Sequence, residues 1–328
     1  MRQKITITLS VLLLLLAVFL IARDLFQKPA ALTNASCCGD DLVSMKQIDV
    51  ALLGYTRTRT IETGVKGLTG IAVDENNRIF VCGNRQVLIF DQSGKKSGEF
   101  AVDSVTSCIA TGSDELYLGF GSGIACYTDS GKKTALWKPF NNEGLITSIA
   151  VNKDYIYAAD AVSKLILKYS IDGRLIQEIG KKDTLTGAPG FIIPSLYFDI
   201  SFGDFNDLWA VNPGRLRLEN YTITGHYEAG WGIAASENSG FAGCCNPAHF
   251  AILPDGNFVT YEKGVDKIKV FDPTGRFLCF IAGAGSFKGN TDLQLNGNLV
   301  KDLAAGSDGF VYVLDAYSQI NIFRKKER

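Results

Sequence analysis

Histidine and methionine are nearly missing, with two of each in 328 residues. That leaves few groups that titrate near neutral pH and few ligands for a histidine-rich metal centre. Proline is sparse at 8, and neither sign of charge dominates: 33 Lys and Arg stand against 34 Asp and Glu, a formal net charge of −1. No cationic excess exists to neutralise a phosphate backbone, so no nucleic-acid partner is expected. The chain has no Cys-x-x-Cys spacing and no Gly-x-Ser-x-Gly turn. The commonest thiolate-metal spacing and the usual hydrolase elbow are therefore absent. What is plentiful is glycine, 34 residues, within a chain that is 46 % hydrophobic. This composition excludes global disorder and favours strands joined by tight turns over a helical protein.

One long apolar run breaks the pattern. Residues Ile5 to Ala22 (ITITLSVLLLLLAVFLIA) carry no charge and follow Arg2 and Lys4. Their length nearly spans a hydrocarbon core, and the preceding positive charge keeps the N-terminus cytoplasmic. The run reads as one N-terminal transmembrane or signal helix. Its end, Ile21-Ala22-Arg23-Asp24, is a poor cleavage site, which favours an uncleaved anchor. The expected organisation is a signal anchor or signal peptide over 1–28, a linker over 29–47 and a body over 48–328. The expected location is the cell membrane, single-pass, with the body on the periplasmic side; secretion is the alternative. Export would let the 8 Cys form disulfides, but their pairing cannot be deduced from sequence.

The body repeats. Segments such as GIAVDENNRIFVCGN (70–84), SIAVNKDYIYAAD (148–160) and DLAAGSDGFVYVLDA (302–316) share an apolar trio, a polar turn and a second apolar strand. Ile71, Cys108, Ile149, Ile200, Phe250 and Leu303 anchor six copies, spaced 37, 41, 51, 50 and 53 residues apart. Third strands follow, with turns DQSG, TDSG, SIDG and DPTG that end in glycine. Four strands in a period of roughly 40–50 residues predict a propeller. The sixth copy lacks a fourth strand, which Ala51 to Glu62 can supply, closing the ring without an open sheet edge.

The repeats resemble NHL repeats, and the body is similar to a six-bladed NHL-type β-propeller. The resemblance implies an all-β fold, and that family includes binding scaffolds, lyases and lactonases. The amidating lyases of this fold hold zinc with three His, and this chain has only His226 and His249, so that match fails. Calcium-dependent lactonases use a Glu, Asn and Asp set near the channel, similar in type to Asp160, Asn212, Glu262 and Asp315 here, without the motif contexts. Virginiamycin-lyase-like propellers rely on a His base, for which His249 alone stands.

The least ordinary segment is WGIAASENSGFAGCCNPAHFAILPDG (231–256), which links the outer strand of the fourth repeat to the inner strand of the fifth. Cys244, Cys245 and His249 fall within six residues, and a second adjacent pair, Cys37-Cys38, lies in the linker. A structural disulfide, a Zn or Fe site with His249, and a redox thiol all fit these residue types. Adjacent cysteines are expected to point apart, and no basic cluster is evident nearby to lower a thiol pKa. The other cysteines, Cys82, Cys108, Cys126 and Cys279, sit at strand positions and read as packed thiols; a Cys82–Cys108 bridge is left open.

Asp160, Asn212, Glu262 and Asp315 align at the ends of second strands and are expected to ring the same loop face. Either they cap their own turns, or they bind a cation such as Ca²⁺ or a polar ligand. Trp231, Phe241 and Tyr261 cluster beside them, as aromatics at a recognition surface do. The function expected from sequence is a non-enzymatic scaffold whose loop face binds a protein partner or small ligand, with the cofactor left open between none and a metal ion (Zn, Fe or Ca). The first alternative is a metal-binding (Zn, Fe or Ca) or redox-linked protein using Cys244, Cys245 and His249. The second is a lyase or Ca-dependent lactonase.

Overall fold

A computed structural model of the chain describes residues 44–327 except 204–205, 236 and 288–297. Blade 1 comprises β2 (Leu68–Val73), β3 (Ile79–Gly83), β4 (Gln86–Phe90) and β5 (Lys96–Ala101), after the separate strand β1 (Tyr55–Glu62). Blade 2 is β6 (Cys108–Thr111), β7 (Leu116–Phe120), β8 (Gly123–Tyr127) and β9 (Lys133–Trp137). Blade 3 is β10 (Ile146–Val151), β11 (Tyr155–Asp160), β12 (Leu165–Ser170) and β13 (Leu175–Ile179). Blade 4 is β14 (Ile200–Phe202), β15 (Leu208–Asn212), β16 (Arg217–Tyr221) and β17 (Tyr227–Trp231). Blade 5 is β18 (His249–Ile252), β19 (Phe258–Glu262), β20 (Lys267–Phe271) and β21 (Phe277–Ala282). Blade 6 is β22 (Val300–Ala305), β23 (Val311–Asp315) and β24 (Gln319–Lys325). Its outer strand is β1, in the order β1-β24-β23-β22.

The fold is thus an all-β, six-bladed propeller. The N-terminal strand closes the ring, pairing antiparallel from Tyr55 with Lys325 to Glu62 with Gln319. The pairing ties both ends of the propeller into one sheet and removes an edge. The apolar run over 5–22 lies outside the described residues. Among the described residues, no helix is long and apolar enough to cross a membrane.

The core lies between blades, where the apolar faces of second and third strands meet those of the next sheet. The glycine that ends each third-to-fourth-strand turn has a second task. Gly131, Gly173 and Gly275 all have φ of 81–85°, open to glycine at no steric cost. Each lies directly under an aromatic from the preceding blade. A Cβ would sit 2.5 Å from Phe100 at Gly131, 2.5 Å from Trp137 at Gly173 and 2.8 Å from Trp231 at Gly275. A turn that opens on Asp, Ser or Thr and ends in Gly three residues later therefore encodes both the hairpin and the seat for its neighbour's outer strand.

Candidate functional site

The inner strands place one residue from each blade around the top of the central channel. It is the residue directly before each anchor: Gly70, Ser107, Ser148, Asp199, His249 and Asp302. Most of this ring bonds blade to blade. Ser107 donates to the Ile146 carbonyl at 2.5 Å, and Ser148 donates to Asp199 Oδ1 at 2.6 Å. Asp199 Oδ2 accepts the Phe250 N–H at 3.0 Å, and Asp302 Oδ2 accepts the Ile71 N–H at 2.9 Å, joining blade 6 to blade 1. Below the ring, the channel holds a cavity of about 300 Å³ lined by Asp199, Asp302 and the inner-strand residues beneath them.

His249 opens β18 between the two carboxylates. Its Nδ1 lies 3.6 Å from Asp199 Oδ2 and 3.6 Å from Asp302 Oδ1. The Tyr261 ring stacks on it at 6.3 Å, and Tyr197 meets it edge-on at 5.5 Å. Asn298 donates to the Tyr197 hydroxyl at 2.9 Å, fixing that ring. Nε2 of His249 is buried without a hydrogen-bond partner among the described residues. A buried orphan of this kind calls for a ligand or water in the folded protein.

The electrostatics follow from this packing. Burial alone would drive His249 toward its neutral form, but the Asp199 and Asp302 carboxylates outweigh it and raise its pKa above the ordinary value. Burial pushes Asp302 up to about 7, against the pull of His249 and with the help of Asp199. The group therefore keeps a proton in the neutral range. The three ligand atoms also lie within 4.8 Å of one another, close enough for a divalent cation. However, both oxygens that face His249 already accept backbone N–H groups, from Phe250 and from Leu303. Those N–H groups and the imidazole already occupy the oxygens that a cation would need.

The residues singled out from sequence fall elsewhere. His249 is not grouped with Cys244 and Cys245; among the described residues the one group of three or more candidate ligands is Asp199, His249 and Asp302. Cys37 and Cys38 lie outside the described residues. Cys244 is exposed, Cys245 is half-buried, and neither forms a disulfide. Cys82 and Cys108 are buried free thiols, so no bridge joins them, and burial raises both pKa values.

Asp160 and Asp315 cap their own turns, and Asn212 and Glu262 hold the preceding loops, so the four do not form an open ligand ring. Asp160 accepts the Leu145, Val162 and Ser163 N–H groups. Asn212 bonds Ile192, Gly190 and Glu219. Asp315 accepts from Tyr317, Gln319 and Asn321. Glu262 accepts the Ala242 N–H and pairs with Lys269. All four are buried. The expected aromatic surface is also absent: Phe241 and Tyr261 are fully buried, and Trp231 packs against Phe241, Phe258 and Phe271. Asp199 and Asp302 were missed. The signal was the polar residue directly before each anchor, Ser, Ser, Asp, His and Asp in five of the six copies.

No family model matches the chain, and no curated relative does. Solved structures do. A streptogramin B lyase aligns with a TM-score of 0.60 at 16 % identity, over 85 % of this chain and 100 % of that one. The virginiamycin B lyase of Staphylococcus aureus aligns at 0.57 and 14 %, over 83 % and 100 %. A catalytically inactive histidine-to-alanine form of that lyase, with quinupristin, aligns at 0.57 and 13 %, over 83 % and 99 %. The chain shares their fold. At this identity the likeness extends no further than architecture.

Proposed function

We propose that the protein is a small-molecule lyase that works at the mouth of its channel, with His249 as the proton acceptor. The observation that carries this reading is a buried imidazole held between two carboxylates with one ring nitrogen unpartnered. In the proposed step, His249 takes a proton from a C–H beside an ester group. The freed electron pair forms a C=C bond, the C–O bond breaks, and the ester oxygen leaves as a carboxylate. Asp199 and Asp302 stabilise the imidazolium that results, and Tyr197 and Tyr261 fix the ring plane. The lyase neighbours share the architecture, and one of them is inactive without a histidine. The scaffold reading is weakened, because Asp160, Asn212, Glu262, Asp315, Phe241 and Tyr261 are buried and Trp231 is half-buried.

The test is a panel of streptogramin B compounds and simpler esters and lactones with an acidic C–H, followed by mass spectrometry. Elimination opens a ring without change of mass, whereas hydrolysis adds one water. His249→Ala is expected to lower kcat/KM by about 10²–10⁴-fold while circular dichroism stays native. No conversion by the wild type, or equal conversion by the variant, overturns the reading.

A further inference from the structure

Three features of the loop before β18 are unused by the lyase reading. The Cys244 and Cys245 sulfurs do not point apart; they lie 3.4 Å from each other. Lys263, in the turn between β19 and β20, places its Nζ 2.8 Å from Cys245 Sγ. Asn246 locks the two segments together, donating to the Ala242 and Lys263 carbonyls and accepting the Lys263 N–H at 2.9 Å. The basic partner that the local sequence lacks thus arrives from 18 residues downstream.

We propose that Cys244 and Cys245 form a reducing dithiol that exchanges with a disulfide substrate, Cys245 attacking and Cys244 resolving. The asymmetry of the pair supports these roles. Burial works against ionisation of Cys245, but the Lys263 ammonium overcomes it and holds the thiol below its usual pKa. Cys244 is shifted the opposite way, chiefly by its contact with Cys245, and is exposed to an incoming partner. In the first step the Cys245 thiolate attacks one sulfur of the substrate disulfide. A mixed disulfide forms and one substrate thiolate leaves. Cys244 then loses its proton and attacks Cys245 Sγ, forming the Cys244–Cys245 disulfide and releasing the second substrate thiol. The dithiol loses two electrons and the substrate disulfide gains them.

Adjacent Cα atoms are about 3.8 Å apart, closer than the roughly 4.4–6.8 Å usual across a disulfide. The oxidised pair is therefore strained and more oxidising than an ordinary disulfide, so it is no structural staple, and the dithiol reduces only substrate disulfides that are themselves strained or carry a low-pKa leaving thiol. Cation binding fits less well. An ammonium already neutralises the Cys245 thiolate, and no third Cys, His or carboxylate joins the pair among the described residues.

The experiment uses the full chain, reduced, desalted and treated at neutral pH with 5,5′-dithiobis(2-nitrobenzoic acid). Peptide mass mapping should recover the 244–245 peptide lighter by two hydrogens and free of adduct. Cys244→Ser should instead trap a stable thionitrobenzoate on Cys245. Lys263→Met should slow that trapping about tenfold or more, because the thiolate fraction falls, and Lys263→Arg should restore most of it. The unfolding midpoint of each variant separates lost reactivity from lost fold. Adducts on both cysteines of the wild type, faster labelling of Cys244 than of Cys245, or an unchanged rate in a folded Lys263→Met would overturn the proposal.

Discussion

Lys269→Met is expected to lower the unfolding free energy by about 3–5 kcal/mol, the usual cost of breaking a buried ion pair from one side. Lys269 is 2 % exposed and Glu262 0 %, and Nζ lies 2.5 Å from Glu262 Oε1. Methionine fills similar volume, so the loss comes from charge and hydrogen bonding. The Glu262 carboxylate would be left buried without its cation, and the Gly240 carbonyl would lose the Nζ donor at 2.7 Å. The pair also holds the loop: Glu262 Oε2 accepts the Ala242 N–H at 2.7 Å, two residues before the thiol pair. Urea unfolding of Lys269→Met should show a lower midpoint with an unchanged slope. The double variant Glu262→Gln, Lys269→Met should regain much of the stability. Its amide can still accept from Ala242, and no orphan charge remains. A single-variant loss below about 1 kcal/mol would mean that water reaches the pair and that the loop is anchored elsewhere.

That ion pair also shows what the sequence makes legible. Glu262 was visible as the end of a second strand, because strand ends recur with the period. Lys269 was not, because a lysine in an apolar third strand, KIKVF, looks like the outward residue of an alternating pattern. Here it points between blades to satisfy a loop from the preceding blade. The ring and its closure were readable for the same reason that blades repeat. Six anchors, glycine-ended turns and a missing last strand are local facts, and the propeller is a sum of local units. The site is different in kind. Asp199, His249 and Asp302 come from three blades and meet only because the inner strands converge on one axis. Proximity in sequence drew attention to His249 with Cys244 and Cys245. Proximity in space instead joins His249 to carboxylates 50 and 53 residues away. Lys263 and Cys245 give the same lesson on a shorter scale, since a hairpin turn supplies the charge that no neighbour in sequence offers.

The channel-mouth group should make folding stability fall as pH rises through the neutral range. Asp302 carries a folded pKa of about 7, whereas an unfolded aspartate titrates near 3.9. The folded state therefore holds this proton more tightly than the unfolded state. That contribution is fully present below about pH 4 and is lost as pH climbs toward 7. His249 acts in the same direction. Its folded pKa is raised above the ordinary value near 6.5, so its contribution is present below that value and disappears as pH passes through the folded one. In the window where one excess proton is held, the unfolding free energy should decline by up to about 1.4 kcal/mol per pH unit. The exposed carboxylates Asp91, Asp103 and Asp172 have pKa values lowered by their hydrogen bonds and titrate below that window. Urea midpoints measured from pH 4.5 to 8.5 read the slope. Asp302→Asn should flatten it, because the amide keeps an acceptor for the Ile71 N–H but cannot bind the proton. His249→Gln should remove the upper part of the window and leave Asp302 as the remaining source at the channel mouth, beside Glu219, Asp266 and Asp315, whose pKa values burial also raises. A wild-type profile that is level across this range, or an Asp302→Asn profile as steep as the wild type, would show that Asp302 is fully ionised. His249 would then lack the proton-sharing partner on which its proposed role as proton acceptor depends.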